Sequence, residues 1–197
     1  TQRPDGMRFS STKPPGEPGW YEWSAGFQHN NANKRGITLD LGDARGRQAA
    51  LDLIATSDVL IENFSPRVLD AFGVTWDEVH ARNPRTVMVR MPAFGLDGPW
   101  RDRTGFAQTM EQISGMAWLT GHRDGLPVIP RGACDPLAGM HAVVATLAAL
   151  HERERSGVGR FVEVTMLEAA LNAAAELVIE HSAYGTVLER DGVRGPV

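Results

Sequence analysis

Asp135 is the residue whose type and setting most directly suggest chemistry. It stands near the start of RGACDPLAGMHAVVATLAALHERERSGVGRFVEVTM, the run from Arg131 to Met166. There a single carboxylate precedes a small-residue helix, a glycine turn and a strand. Asp followed by Pro at a helix start is an ordinary capping device. The carboxylate accepts backbone N–H bonds, and Pro fits the first turn because its missing N–H is not needed there. The same position suits a nucleophile. The field at a helix N-terminus keeps a carboxylate ionised and able to attack. The N–H groups there would also stabilise an oxyanion forming on an attacked carbonyl. Cys134 with His141 offers a thiol in place of the carboxylate, seven residues from its base. However, Cys134 precedes the expected helix and no third group orients the imidazole, so a small buried filler is the simpler reading. His29, His80, His122, His151 and His181 show no metal-ligand spacing.

The elements that must hold Asp135 follow from periodicity. Residues 1–35, with Pro4, Pro14, Pro15 and Pro18 among several glycines, read as an irregular N-terminal segment. From Gly36 the pattern becomes regular. Ile37 to Leu41 alternates like a strand, and Ala44 to Thr56 carries apolar residues at helical spacing. Asp58 to Glu62 reads as a short buried strand, followed by Ser65-Pro66 as cap and first turn of a helix to Phe72. Thr75 and Glu78 form a capping box for a helix to Arg82. Arg85 to Met91 is a third strand, and Thr104 to Leu119 is helical. The strongest helix runs from Asp135 to Arg155, and its Ala138, Gly139, Ala142, Ala145, Ala148 and Ala149 give it a small-residue surface. That surface suits either core packing or the close approach of an extended ligand. Ser156 to Gly159 ends it, Arg160 to Thr165 is a strand, and Leu167 to Tyr184 is helical. Strands alternating with helices over 36–185 imply an α/β domain with an open, mostly parallel Rossmann-like sheet flanked by helices. A linker begins at 186 and continues to 197.

Composition bounds the function. At 197 residues and 42% hydrophobic, the chain can bury one core. A net charge of −4 argues against a general nucleic-acid binder. With one cysteine, Cys134, no intrachain disulfide forms, and a cytoplasmic setting is expected. No apolar run approaches the length of a membrane span, and no signal pattern opens the chain. The chain begins at Thr1 without Met and ends at Pro196-Val197, so a fragment of a longer protein is expected.

Several segments together carry a resemblance. Asn33-Lys34-Arg35, Glu62-Asn63-Phe64, the turn Phe94-Gly95-Leu96-Asp97-Gly98-Pro99 and Thr120-Gly121 precede Asp135. Gly139, Leu147-Ala148-Ala149-Leu150, Gly157-x-Gly159 and Glu168-Ala169 follow it. In this order they resemble the class III CoA-transferase family, the formyl-CoA and carnitine-CoA transferase group, over about Asn30 to Ala170. The resemblance implies that Asp135 is a covalent nucleophile toward an acyl-CoA, with a carboxylic acid as acceptor and coenzyme A as substrate rather than cofactor. It implies CoA contacts at Asn33, Lys34, Arg35, Leu39, Asn63 and Phe64, no metal, and an interlocked homodimer. Asn63 and Phe64 also suit a ligand site by position, since open α/β sheets bind beyond the carboxyl ends of their strands. By themselves, Lys34 and Arg35 read as solvated surface and Leu39 as core. Arg67 replaces a usual glycine, and Ala71 replaces an arginine that some members use near CoA. The α-methylacyl-CoA racemases share this fold but need a histidine where this chain has Phe106, which moves no proton. A lyase on the same fold and a non-catalytic CoA-binding fragment are also compatible with these residues.

Overall fold

The computed structural model describes residues 4–190. Three parallel strands form its sheet in the order β1-β2-β3: β1 (Val59–Glu62), β2 (Val87–Arg90) and β3 (Phe161–Glu163). Helices α1 (Ala25–Asn30) and α2 (Ala44–Ala55) precede β1. Helices α3 (Pro66–Ala71) and α4 (Trp76–Arg82) lie between β1 and β2, while α5 (Ala107–Ile113), α6 (Met116–Leu119) and α7 (Cys134–Ser156) lie between β2 and β3. The chain then forms α8 (Met166–Ala173) and α9 (Ala175–Tyr184).

All four residues of β2 are buried, as expected of a central strand covered on both faces. Its side chains alternate between two cores. Met88 packs with Leu51, Ile54, Leu69, Val74 and Val79 from the α2, α3 and α4 side. Val87 and Val89 point the other way, onto Ala142 and Ala149 of α7. The small residues of α7 are thus used at least in part for close packing on the sheet. Arg153, near the end of α7, reaches back to Asp58 Oδ1 (2.9 Å) and the Arg85 carbonyl (3.3 Å), which ties the helix to the starts of β1 and β2.

The glycines after α7 have separate jobs. Gly157 takes the left-handed conformation (φ 75°) that closes the helix. Gly159 allows contact: a Cβ there would collide with the backbone of Arg85 and Thr86, and its N–H donates to Pro84 O at 2.8 Å.

Several expectations are corrected. Ile37 to Leu41 is not a strand; Ile37 is 66% exposed, and no neighbouring strand pairs with this segment among the described residues. Consequently β1 is an edge strand whose Ile61 is 57% exposed, rather than a fully buried one. Residues 4–35 are not wholly irregular: 3-10 turns at Gly6–Ser10 and Trp20–Glu22 accompany α1, with Ser24 capping α1 and bonding Met7 O. The helical stretches 104–119 and 167–184 are each broken in two, at Ser114-Gly115 (Gly115 φ 86°) and at Ala174. Thr75 caps α4 as expected, but Glu78 turns to Arg82 rather than closing the box. Of the expected linker, residues from 191 lie outside the described part, while Arg190 bonds the carbonyls of Trp118, His122 and Gly125.

Candidate functional site

At the carboxyl ends of β1 and β2 a cavity of about 350 Å³ opens, lined by Ile61, Glu62, Asn63, Met91, Asp135, Ala138 and Met166. The first turn of α7 brings Asp135 here, and the β1–α3 connection brings Asn63. This is the place where open α/β sheets bind ligands.

The β1–α3 connection is pinned from below. Arg90, at the end of β2, is 6% exposed. Its Nε donates to Glu62 Oε1 at 2.6 Å and its terminal nitrogens to Pro66 O at 2.6 Å and Asp70 Oδ1 at 3.2 Å. The other Glu62 oxygen accepts from the Phe64 N–H at 2.7 Å. One guanidinium and one carboxylate therefore brace both sides of Asn63-Phe64.

Asp135 does not cap its helix. Helix α7 begins one residue earlier than expected, with Ala133 in the cap position and no side-chain cap bond. The backbone donors just before it are taken by a residue that sequence reasoning does not single out. Glu111 of α5 is fully buried, and its Oε1 accepts from Gly132 N and Ala133 N, both at 2.6 Å, while Oε2 accepts from Arg131 N at 3.1 Å. A signal for Glu111 exists in the chain: Ala107, Met110, Glu111 and Ser114 occupy positions i, i+3, i+4 and i+7, one buried face of a helix.

The electrostatics differ accordingly from the expected helix-end stabilisation. Partial burial, then the neighbouring Glu111 charge, raises the Asp135 pKa above its ordinary value of 3.8. Burial, Glu111 and Asp135 push the Cys134 thiol up to about 11. Cys134 is buried with Sγ 3.8 Å from Met116 Sδ, and His141 Nδ1 sits 2.8 Å from Leu137 O. A protonated, buried thiol whose candidate base is engaged elsewhere is a filler.

The remaining candidate contacts stand apart from this cavity. Asn33, Lys34 and Arg35 are exposed and Leu39 is half-buried; none of them lines it. Asn33 adopts φ 61°, a left-handed conformation that Asn tolerates, and turns the chain into Lys34 and Arg35. Lys34 Nζ reaches Asn31 Oδ1 at 3.3 Å. Phe64 is 47% exposed beside Asn63. In the turn after β2, Gly95 and Gly98 both have positive φ (103° and 77°), and Leu96 N–H donates to Glu163 Oε1 at the end of β3.

Comparison with known proteins agrees with this fold. The chain matches CoA-transferase family III over residues 1–197, and it belongs to that family. It is 38% identical over 162 residues, 81% of this chain and 40% of the other, to the succinyl-CoA–L-malate CoA-transferase beta subunit of Chloroflexus aurantiacus. It is 41% identical over 147 residues, 74% of this chain and 36% of the other, to the formyl-CoA:oxalate CoA-transferase of Streptomyces avermitilis. Among solved structures it is similar to Rv3272 from Mycobacterium tuberculosis, with TM-score 0.79 at 31% identity over 91% of this chain and 49% of that one. A CaiB/BaiF family protein from Brucella suis gives TM-score 0.77 at 31% identity, over 81% of this chain and 42% of that one. The chain thus spans about two fifths of the length of the curated relatives it matches. Among the described residues, no helix is long and apolar enough to cross a membrane.

Proposed function

We propose that the full-length protein transfers coenzyme A from an acyl-CoA thioester to a carboxylic acid, with Asp135 as the covalent nucleophile. The observation that carries this is the shared cavity of Asp135 and Asn63 beyond the strand ends, in a chain of CoA-transferase family III. In the first step an Asp135 Oδ attacks the thioester carbonyl carbon, the C–S bond breaks, and an aspartyl–acyl anhydride and CoA thiolate result. The thiolate then attacks the aspartyl carbonyl, releasing the donor's carboxylate and leaving an aspartyl-CoA thioester. The acceptor carboxylate attacks that thioester, again expelling thiolate. The thiolate finally attacks the acceptor's acyl carbon, giving the new acyl-CoA and free Asp135. No electrons are exchanged, and each C–S or C–O bond broken is matched by one formed.

In this reading Asn63 and Phe64 hold the CoA arm nearest the reacting carbonyl. Asn33, Lys34, Arg35 and Leu39 take the nucleotide end, where exposed cations suit phosphates. The relatives' names make succinyl-CoA and formyl-CoA the first donors to try, with small dicarboxylic acids as acceptors. The test is Asp135→Asn in the full-length protein. It is expected to abolish transfer, by about 10³-fold or more as for other removed nucleophiles, while CoA still binds. Full transfer activity in this variant would remove Asp135 from the mechanism.

A further inference from the structure

Asp135, as a nucleophile, has a setting that its own helix does not account for, because among the described residues neither a backbone N–H nor a cation bonds its carboxylate. Arg131 (φ 67°) and Gly132 (φ 106°) are consecutive left-handed residues, and Arg131 is one of two non-glycine residues with positive φ among those described. This backbone turns the N–H groups of Arg131, Gly132 and Ala133 toward one point, the kind of concavity that binds anions. In many active sites such a concavity holds substrate charge. Here it is filled from within by the Glu111 carboxylate, which is fully buried and forms no ion pair with Lys or Arg among the described residues. Left-handed backbone at a non-glycine residue costs about 1 kcal/mol or more and persists only where surrounding contacts hold it. Those contacts are the three bonds to Glu111. The oxyanion role expected of these amides therefore falls to other groups.

We propose that Glu111 is the positioning residue of the nucleophile: it holds the 131–133 backbone in its left-handed turn and thereby sets where Asp135 stands in the cavity. This rests on Asp135 being the nucleophile. The connection is short, since Ala133, bonded to Glu111, lies two residues before Asp135. It also fits the anchoring of the loop, because α5 packs on both α7 and α8. A second consequence accompanies the first. The same carboxylate contributes to the raised proton affinity of Asp135. A more basic carboxylate is a stronger nucleophile once ionised, at the cost of an acid limb displaced to higher pH.

Two conservative variants separate position from charge. Glu111→Gln keeps the length and one acceptor oxygen but removes the charge. Glu111→Asp keeps the charge but falls one methylene short of the amides. Acyl-enzyme formation from succinyl-CoA or formyl-CoA is followed by hydroxylamine trapping in single turnover, from pH 4 to 8, in the full-length protein. For Glu111→Gln the acid limb is expected to move to lower pH. For Glu111→Asp the limb stays in place and the plateau rate falls by about 10-fold to 10²-fold, with the acyl-CoA KM within about twofold of wild type. The proposal is overturned if both variants keep the wild-type limb and plateau. It is equally overturned if they lose rate only in proportion to lost folded protein or lost CoA binding, as a merely structural glutamate would. Asp135→Asn in the same series keeps nucleophile and positioning residue apart. Trapping that survives this variant removes the nucleophile assignment, whereas trapping lost there but indifferent to Glu111 removes Glu111 alone.

Discussion

Replacing Arg90 by alanine is expected to destabilise the protein severely and to loosen the loop that carries Asn63 and Phe64. Arg90 and Glu62 are 6% and 8% exposed, so neither charge can be rescued by bulk water when its partner is removed. The variant strands Glu62, which retains only its bond from Phe64 N–H, and deprives the Pro66 carbonyl of a charged donor 2.6 Å away. Asp70, whose side chain is 43% exposed, is rehydrated and contributes little. Breaking one side of a buried pair costs about 3–5 kcal/mol, and the stranded carboxylate places Arg90→Ala in that range. With a urea m-value of about 2 kcal/mol/M, the unfolding midpoint falls by roughly 2 M. Urea titration followed by circular dichroism measures this, with Glu62→Gln and the double variant completing a cycle. Because the stranded charge dominates the cost, adding Glu62→Gln to Arg90→Ala should return about 1–3 kcal/mol. A loss under about 1 kcal/mol, the range of an exposed pair, would refute the reasoning. So would a double variant no more stable than Arg90→Ala.

Other outcomes follow from the same structure. Gly159→Ala drives a Cβ into the Arg85–Thr86 backbone and is expected to cost about 3 kcal/mol. Gly157→Ala meets no atom and costs only the left-handed strain, about 1 kcal/mol; thermal unfolding of the pair checks the contrast. Asp135→Asn should stabilise the fold, and the sign follows from the shift. The folded-state pKa is raised above 3.8, so ionisation opposes folding. The penalty is absent below the unfolded pKa, grows as pH rises through the folded one, and is constant above it. The Tm gain should therefore appear near pH 7 and vanish by about pH 3. A gain confined to low pH would contradict this.

Much of this fold could be read from the chain because its cues are local. Pro66 and Thr75 mark helix starts, the apolar run of β2 marks a covered strand, and Gly157 marks the end of α7. What could not be read is set by distant parts of the chain. Ile37 to Leu41 has the alternation of a strand, but alternation does not supply a neighbouring strand to pair with. Helices over 104–119 and 167–184 have continuous helical spacing, yet the first breaks at the left-handed Gly115 and the second at Ala174. At the site, Asp135 and Asn63 are legible because their neighbours fix them on a helix start and a strand end. The Asp135 environment is not, since it depends on Glu111 arriving from another helix across roughly twenty residues of intervening chain. An Asp-Pro helix start suggests a self-capping carboxylate; the tertiary structure gives the adjacent donors to Glu111 and leaves Asp135 facing the cavity.

The central claim is that Asp135 forms a covalent bond to an acyl group, and trapping it is the most direct test. The full-length protein is incubated with succinyl-CoA, formyl-CoA and other acyl-CoA thioesters, quenched with hydroxylamine, and digested for peptide mass spectrometry. A hydroxamate is expected on Asp135 and on no other carboxylate, dependent on the thioester supplied. An unmodified Asp135 across the panel, in protein shown to bind CoA, would contradict that claim and leave Asp135 without a covalent role.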